Sequence, residues 1–392
     1  MTTEVQSQAL DRLRQAARDP RGYVEDWKLR TGGLALGIFP MNFPVEITHA
    51  AGVLPVMVQA GDEAISDGNY LLTEYYCGFT RSVADQASKG QLDHLDGFMS
   101  ADHCIELMGA VDVVRESLPD RKVFYGQFIA VMGHDWMDRK LRATVEEFIS
   151  EMETFSGSSI STEDLHRSIG ILNENRSMIR QIFQDRREGR YRVDPTLLQD
   201  IVKSSMIMDR QEHTALLREV ADELASQSSS EDGLIRVHLS GHFCHAPNPD
   251  LLTAIEDCGA IVVDDDLFTG YRYVSTDVPE DSDPVEAICA WYQDRNTNAP
   301  CPTRVQHDID WDGYLVDSVR NNKVDAVLVL MAKFCEPHML YYPEIRKALS
   351  AADIPHLMLE TEHLGMPLET IRTRLEALFE GIRRRSLQSA NA

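Results

Sequence analysis

The second half of the chain alternates short apolar runs with segments whose apolar residues recur at helical spacing. The intervening segments, such as NPDLLTAIEDCG and DPVEAICAWYQD, predict amphipathic helices. Strands that alternate with helices form a parallel sheet covered on both faces, and near-continuous apolar runs fit strands that are buried on both sides. The predicted strands are LIRVHLSG (234–241), AIVVDDD (260–266), VDAVLVLMAKF (324–334) and IPHLMLETE (354–362).

The first half of the chain repeats this pattern. Segments such as PVEITHAAG and FTRSVADQASKG predict helices between its apolar runs. We therefore predict an α/β fold with two similar parallel-sheet domains of the flavodoxin-like or Rossmann-like type. The predicted strands of the first domain are LALGIFPMN (34–42), VLPVMVQ (53–59), LDGFMSAD (95–102) and KVFYGQFIAV (122–131).

A helical segment is predicted between the two sheets. Ser161 and Asp164 form a capping-box pattern at its start, and no strand pattern follows up to residue 225. The polar stretch SQSSSEDG (226–233) is then typical of a linker. The predicted organisation is an N-terminal helical segment (1–33), a first α/β domain (34–160), a helical segment with linker (161–233) and a second α/β domain (234–392).

Composition narrows the functional classes. The chain has 392 residues, 43% of them apolar, and a net charge of −25. This charge argues against nucleic acid as a partner, because binding phosphates takes clustered Lys and Arg. The chain contains no run of 18 apolar residues, so we expect no membrane span. The polar start MTTEVQSQALDRLRQ lacks an apolar signal core, and we expect a cytoplasmic protein.

The seven cysteines include no CxxC pair, which argues against a disulfide framework. Cys104, Cys244 and Cys335 each follow a predicted strand closely, and Cys77 stands at a predicted helix start. Ligands of open α/β sheets bind beyond the carboxyl ends of the strands. These positions fit metal or cluster ligands, but buried apolar cysteines are the alternative. The remaining cysteines are predicted to lie in the helical core (Cys258, Cys289) or in a loop (Cys301).

Five sequence blocks, in order, carry a family resemblance. The chain resembles the iron–sulfur subunits of the 2-hydroxyacyl-CoA dehydratase and benzoyl-CoA reductase family. Its length and last block are most similar to the smaller of the two cluster-bearing subunits of ATP-dependent benzoyl-CoA reductases. The blocks are FPMNFPVEITHAAGVLPV (39–56), YYCGFTRS (75–82), DHCIELMGA (102–110), LSGHFCHAPNPDLLTAIEDCGAIVVDDDLFTGYRY (239–273) and KFCEPHMLYYPEIRKALSAADIPHLMLETE (333–362).

The resemblance implies a [4Fe–4S] cluster held by Cys77, Cys104 and Cys335, with Cys244 near the site but outside the ligand set. It also implies an acyl-CoA substrate and two kinds of protein partner, namely a related cluster-bearing subunit and an ATPase iron–sulfur activator. The chain has neither a GxxxxGK[ST] loop nor a GxGxxG fingerprint. We therefore expect a partner to bind the ATP.

Three further residues are candidates for the site. Glu46 begins a predicted helix, where a carboxylate is favoured by the helix dipole. The resemblance places it near the substrate as a catalytic residue for proton transfer. Arg272 either holds a phosphate or carbonyl group or caps a loop, and the role of Arg81 is equally open. His242, Cys244 and His245 lack the usual second ligand pair of a zinc site.

The resulting functional prediction is a catalytic iron–sulfur subunit of an ATP-dependent benzoyl-CoA reductase. Such an oxidoreductase passes single electrons to the thioester-activated ring. The alternatives are a 2-hydroxyacyl-CoA dehydratase subunit, which is a lyase acting by a ketyl radical, and a non-catalytic electron-relay or structural subunit. Which acyl-CoA is used, and which subunit holds it, stays open. Weak support for an aromatic substrate comes from Phe39, Met41, Phe43, Phe243 and Phe268 in or beside the matching blocks.

Overall fold

Two four-stranded parallel sheets form the framework of the described part of the chain. The computed structural model describes residues 7–40, 43–102, 104–226, 231, 233–242, 244–307, 309–363 and 366–390. The first sheet contains β1 (Ala35–Ile38), β2 (Leu54–Met57), β3 (Gly97–Ala101) and β4 (Lys122–Gly126). The second contains β5 (Ile235–Gly241), β6 (Ala260–Asp265), β7 (Ala326–Ala332) and β8 (His356–Thr361).

The two sheets share one strand order. It is β2-β1-β3-β4 in the first sheet and β6-β5-β7-β8 in the second, with all neighbours parallel. Each strand lies within a predicted apolar run, so the prediction of two similar α/β sheets is confirmed. In this order the chain reverses direction across the sheet between the first and third strands of each sheet. Such a switch point opens a crevice at the carboxyl ends of those strands.

Helices cover both sheets. Those of the first half are α1 (Gln8–Arg18), α2 (Pro20–Thr31), α3 (Val45–Ala50), α4 (Gly68–Leu71), α5 (Gly78–Ser88), α6 (Ile105–Ser117) and α7 (Asp135–Ser156). Between the sheets along the chain come α8 (Thr162–Arg187), α9 (Pro195–Ser205) and α10 (Arg210–Ala225). The second half adds α11 (Pro249–Asp257), α12 (Tyr271–Val274), α13 (Pro284–Asn298), α14 (Trp311–Asn321), α15 (Glu336–Ala351) and α16 (Leu368–Ala390).

Local sequence explains where several helices begin. The Ser161 side chain accepts from the Asp164 N–H and the Asp164 side chain accepts from the Ser161 N–H, so the predicted capping box is confirmed. Helices α9, α11 and α13 start with Asp or Asn as the N-cap followed by Pro. This pair suits a helix start, because the side-chain oxygen satisfies a free N–H and Pro has no N–H to satisfy.

Strand residues alternate between two apolar layers on each sheet. In β7, Val327 and Val329 pack towards α14 and α15, whereas Leu328 and Leu330 pack towards α11 and α16. Side chains of a strand point to opposite faces in turn, so continuous apolar runs fill both layers.

The layer that covers one face of the first sheet crosses the predicted domain boundaries. It includes Leu172 of α8 and Trp291 of α13, so the helical segment packs directly on this sheet together with a helix from the second half. The predicted boundaries at residues 33, 160 and 233 stay predictions. Within the described ranges, no helix is both long enough and apolar enough to cross a membrane.

Candidate functional site

One buried cavity brings together four of the seven cysteines. Its lining includes the side chains of Cys77, Cys104, Cys244 and Cys335, and we call it the cysteine cavity. The first two of these residues come from the half of the chain with the first sheet, and the last two from the half with the second. The cavity therefore lies where loops from the carboxyl ends of both sheets meet.

Three of these cysteines stand directly before helices. Cys77 is the N-cap of α5, Cys104 of α6 and Cys335 of α15. Cys104 follows β3 and Cys335 follows β7, so each of these cysteines lies where a buried strand ends and the next helix begins. The N-termini of these helices carry partial positive charge, which favours negative charge in the cavity and thiolate character at its cysteines.

Cys244 reaches the cavity through a tight turn after β5. Gly241 has φ 113°, and a Cβ at this position would lie 2.4 Å from the Leu330 carbonyl oxygen and 2.6 Å from a ring atom of His338. His242 follows with φ 46°, and its Nε2 lies 2.7 Å from Thr361 Oγ1. The turn thus needs glycine at its first position. Phe243 lies outside the described residues.

Burial keeps these thiols neutral in the absence of a cation. It raises the pKa of Cys77 to about 12, and it also raises the pKa of Cys104, Cys244 and Cys335. Mutual repulsion adds to this effect, because each of the four thiols interacts electrostatically with at least one of the others. Thiolates in this cavity therefore need a positive partner, and metal binding would be coupled to proton release.

Glu106 also lines the cysteine cavity, and sequence reasoning missed it. Its Oε2 accepts from the Cys77 backbone N–H at 3.1 Å, which ties α6 to the start of α5. Burial raises the pKa of its carboxyl group, and Glu336 adds repulsion. A glutamate two residues after a predicted ligand was a signal, but an acid in the first turn of a helix is also common for electrostatic reasons.

The histidines of the cavity wall are neutral. Burial lowers the pKa of His242 and His338 to about 3, and that of His245 well below its usual range. The His245 ring packs on Phe79 and the His338 ring on Trp311, with centroids 5.6 and 4.9 Å apart. The imidazoles thus provide shape without positive charge.

A polar cleft of about 430 Å³ adjoins the cysteine cavity. His242, Cys244, His245 and Ala332 line both spaces, so these residues, which lie at the ends of β5 and β7, form the wall between them. The cleft is also lined by polar and charged residues, among them Gln59, Asp200, Lys203 and Lys333.

Glu46 lies apart from the cysteines. It is fully buried at the start of α3 and does not line the cysteine cavity. Arg176 Nη1 of α8 donates to Glu46 Oε1 at 2.7 Å, whereas no hydrogen-bond partner for Glu46 Oε2 occurs among the described residues. The structure therefore brings the three predicted cluster cysteines together but does not add Glu46 to them.

The two candidate arginines, Arg272 and Arg81, donate hydrogen bonds to neighbouring groups of the protein. The Arg272 guanidinium is buried and donates to the carbonyl oxygens of Asp266, Ala299 and Pro300, so it holds protein carbonyls. Arg81 donates to the Tyr76 carbonyl and to Asn69 Oδ1, which fixes the loop before Cys77.

Three of the aromatic residues suggested for an aromatic substrate, Phe39, Phe43 and Phe268, lie in the core. Phe39 packs on Phe98, Phe43 on Phe148 and Phe268 on Tyr273, and none of the three lines the cysteine cavity. Met41 and Phe243 lie outside the described residues. The described core aromatics consequently give no support to an aromatic substrate.

The cavity differs from a site for a single metal ion. Among the described residues, no group of three His, Cys, Asp or Glu side chains is arranged to hold one ion. Thiolates around one zinc ion lie about 4 Å apart, because each Zn–S bond is about 2.3 Å long.

Comparison with known proteins places nearly the whole chain in one group. The family described as 2-hydroxyglutaryl-CoA dehydratase, D-component, matches residues 40–382. The (R)-phenyllactyl-CoA dehydratase beta subunit of Clostridium sporogenes is 25% identical, over 94% of this chain and 97% of that protein. The lactoyl-CoA dehydratase subunit beta of Anaerotignum propionicum is 27% identical, over 95% and 98%. A benzoyl-CoA reductase subunit from Thauera aromatica is 22% identical, over 89% and 90%.

Proposed function

Because the chain belongs to the 2-hydroxyglutaryl-CoA dehydratase D-component family, we propose that it is an iron–sulfur subunit of an enzyme complex that acts on an acyl-CoA thioester. In this proposal Cys77, Cys104 and Cys335 bind a [4Fe–4S] cluster. The observation that carries the proposal is the convergence of these three cysteines, from distant parts of the chain, in one buried cavity.

The donor set fits such a cluster. Cysteine thiolates are the usual ligands of [4Fe–4S] clusters. The three N-terminal helix ends favour their negative charge, and the raised thiol pKa values mean that the thiolate forms are stable only beside a cation. A bound [4Fe–4S] cluster supplies one-electron transfer at low potential.

The protein residues have three tasks at this site. The N-cap cysteines fix the thiol positions on three separate helices. Apolar groups such as Phe79 and Leu107 exclude water from the cavity. Glu106 holds the loop at Cys77 and adds an acidic group beside it, which lowers the potential of any redox centre there.

The reaction class has two candidates. Ring reduction of an aromatic acyl-CoA such as benzoyl-CoA has two supports. The block at residues 333–362 resembles the smaller cluster-bearing subunit of benzoyl-CoA reductases, and one relative is named as a subunit of benzoyl-CoA reductase. Dehydration of a 2-hydroxyacyl-CoA is supported by the relatives named as dehydratase beta subunits. Both reactions start with one electron that enters a thioester, so the same cavity serves either.

Partner subunits are part of the proposal. The relatives are themselves named as subunits, and this chain has no GxxxxGK[ST] loop with which to bind ATP. We propose a related cluster-bearing subunit and an ATPase iron–sulfur activator as partners.

The test is anaerobic purification of the full chain with its co-purifying subunits, followed by measurement of iron and activity. The complex receives ATP and a low-potential electron donor, with benzoyl-CoA and a panel of 2-hydroxyacyl-CoA esters offered separately. Conversion of benzoyl-CoA to a cyclic dienoyl-CoA supports the reductase. Formation of a 2-enoyl-CoA, with benzoyl-CoA untouched, selects the dehydratase. A preparation without iron, or without turnover of any thioester, contradicts the proposed function.

A further inference from the structure

We propose that Cys244 is a fourth cysteine ligand of the cluster, in addition to Cys77, Cys104 and Cys335. The inference rests on the proposed function, because it presupposes the cluster. It goes beyond the three-cysteine set that the family resemblance implies.

The position of Cys244 carries the first step. Cys244 lines the same cavity as Cys77, Cys104 and Cys335. It reaches the cavity from the end of β5, a segment that none of the other three shares. Four thiols that approach from four separate segments match the number of irons in a [4Fe–4S] cluster.

The turn before Cys244 is held from both sides. Asp266 is fully buried and accepts from the Gly241 N–H at 2.9 Å and from Ser240 Oγ at 2.8 Å. On the other side, His242 Nε2 meets Thr361 Oγ1 at the end of β8. A buried carboxylate is costly unless its hydrogen bonds are made, so these contacts define one conformation for the turn. These contacts therefore hold the end of β5 and His242 in place, two residues before Cys244.

Cys244 also separates the cavity from the polar cleft. Among the four cysteines of the cavity, only Cys244 lines both spaces in the described part of the chain. A Cys244 thiolate bound to the cluster would therefore stand between the cluster and the cleft.

Cys301 is the rival fourth ligand, and the structure argues against it. Its Sγ lies 3.1 Å from Thr303 Oγ1, and Cys301 does not line the cysteine cavity. Cys301 is buried and Cys244 is half-buried, so Cys301→Ala is a control that removes a thiol of the same half of the chain at a site at least as sensitive to packing.

A fourth thiolate has an electronic consequence. It adds negative charge to the cluster and removes an exchangeable site, and both net charge and solvent exposure set the reduction potential of such centres. We therefore expect a lower reduction potential than three cysteine ligands alone would give.

The test compares wild-type protein with Cys244→Ala and Cys301→Ala, as the full chain purified without oxygen. Each is treated with a limited amount of ferricyanide, and iron content and the EPR signal of a three-iron cluster are measured. Wild type and Cys301→Ala are expected to keep all their iron. Cys244→Ala is expected to lose about one iron in four and to develop the three-iron signal.

Two outcomes overturn the inference in different ways. If wild type loses iron and gains the three-iron signal as readily as Cys244→Ala, the cluster has an open iron and only this inference fails. If wild type contains no cluster at all, the proposed function fails with it. Mössbauer spectra of the 57Fe-labelled wild type decide the question even if Cys244→Ala does not fold, since an open cluster shows one iron distinct from the rest.

Discussion

Glu46 and Arg176 form a buried ion pair, with Arg176 Nη1 2.7 Å from Glu46 Oε1 and both side chains less than a tenth exposed. The pair joins α3, which follows the first strand, to the long helix α8. Ser168 of α8 reinforces the contact, because its hydroxyl donates to the Glu46 carbonyl oxygen at 2.8 Å. This contact anchors the helical segment on the first sheet and keeps Glu46 away from the cysteine cavity.

Replacement of Glu46 should therefore affect stability. We expect Glu46→Gln to lower the free energy of unfolding by about 3 kcal/mol, because the buried Arg176 loses its closest charged partner and keeps only the more exposed Asp277, at 3.5 Å. Chemical denaturation measures this, with the exposed Glu163→Gln as a control that should change stability by no more than about 0.5 kcal/mol. Unchanged stability with cluster content intact and turnover at least about tenfold lower would instead support proton transfer by Glu46.

The proposed cluster makes a direct prediction about iron. Removal of two ligands at once, as in Cys77→Ser with Cys335→Ser, should abolish most bound iron and the brown absorbance, since too few thiolates remain. The double variant Cys258→Ser with Cys289→Ser should keep both, because neither residue lines the cysteine cavity. Iron analysis and visible spectra measure the outcome, and full iron loading of the first double variant would refute the ligand assignment.

Glu106 should tune the potential of that cluster. Glu106→Gln removes an acidic group that contacts the Cys77 backbone. The reduction potential of the cluster should therefore rise at pH 8 by the order of tens of millivolts. For one electron, a shift of 59 mV corresponds to about 1.4 kcal/mol. Redox titration followed by EPR measures the shift. Glu116→Gln, exposed on the same helix, is the control, and an equal shift in both variants would contradict a local effect.

His238 should make stability depend on pH. Burial opposes its protonation, but the carboxylates of Asp264 and Asp266 outweigh it and raise the pKa of His238 to about 9. Its folded pKa thus exceeds the ordinary value of 6.5. The contribution of protonated His238 to the free energy of unfolding is therefore fully present below pH 6.5 and is lost as the pH rises towards 9.

The measurement compares unfolding free energies of wild type and His238→Gln at several pH values between 6 and about 9.5. The difference between the two proteins should shrink across this range by up to about 3 kcal/mol. The buried thiols titrate in both proteins, so their effect cancels in the difference. The exposed His166→Gln should follow wild type, and a pH-independent difference for His238→Gln would contradict the charged pair.

Gly241 should not tolerate a side chain. Its φ of 113° is strained for any other residue, and an added Cβ would meet the Leu330 carbonyl oxygen. We expect Gly241→Ala to lower the free energy of unfolding by more than about 2 kcal/mol. Gly313→Ala is the control, because this helical position has open space and alanine should stabilise it by about 0.5–1 kcal/mol. Equal stability of both variants would show that the turn before Cys244 adapts.

The sequence alone was sufficient to predict the strands and the cysteines that follow their carboxyl ends. A strand buried on both faces has no polar residue to interrupt its run, so β7 is visible as an apolar segment that stops just before Cys335. Parallel strands align their carboxyl ends, and this places Cys104 and Cys335 at a sheet edge before any contact is known. The ordered blocks then led to the family, which the match over residues 40–382 confirms.

Only the tertiary structure decided which residues meet. The approach of Cys244 to the other three cysteines depends on how the two sheet edges face each other and on the positive φ values at Gly241 and His242. The pairing of Glu46 with Arg176 joins residues far apart in the chain, and Glu106 acquired its role through a contact with the Cys77 backbone. Periodicity and propensity act over a few residues, so they fix elements and their ends. Long-range packing fixes the neighbours across a cavity, and no local pattern records it.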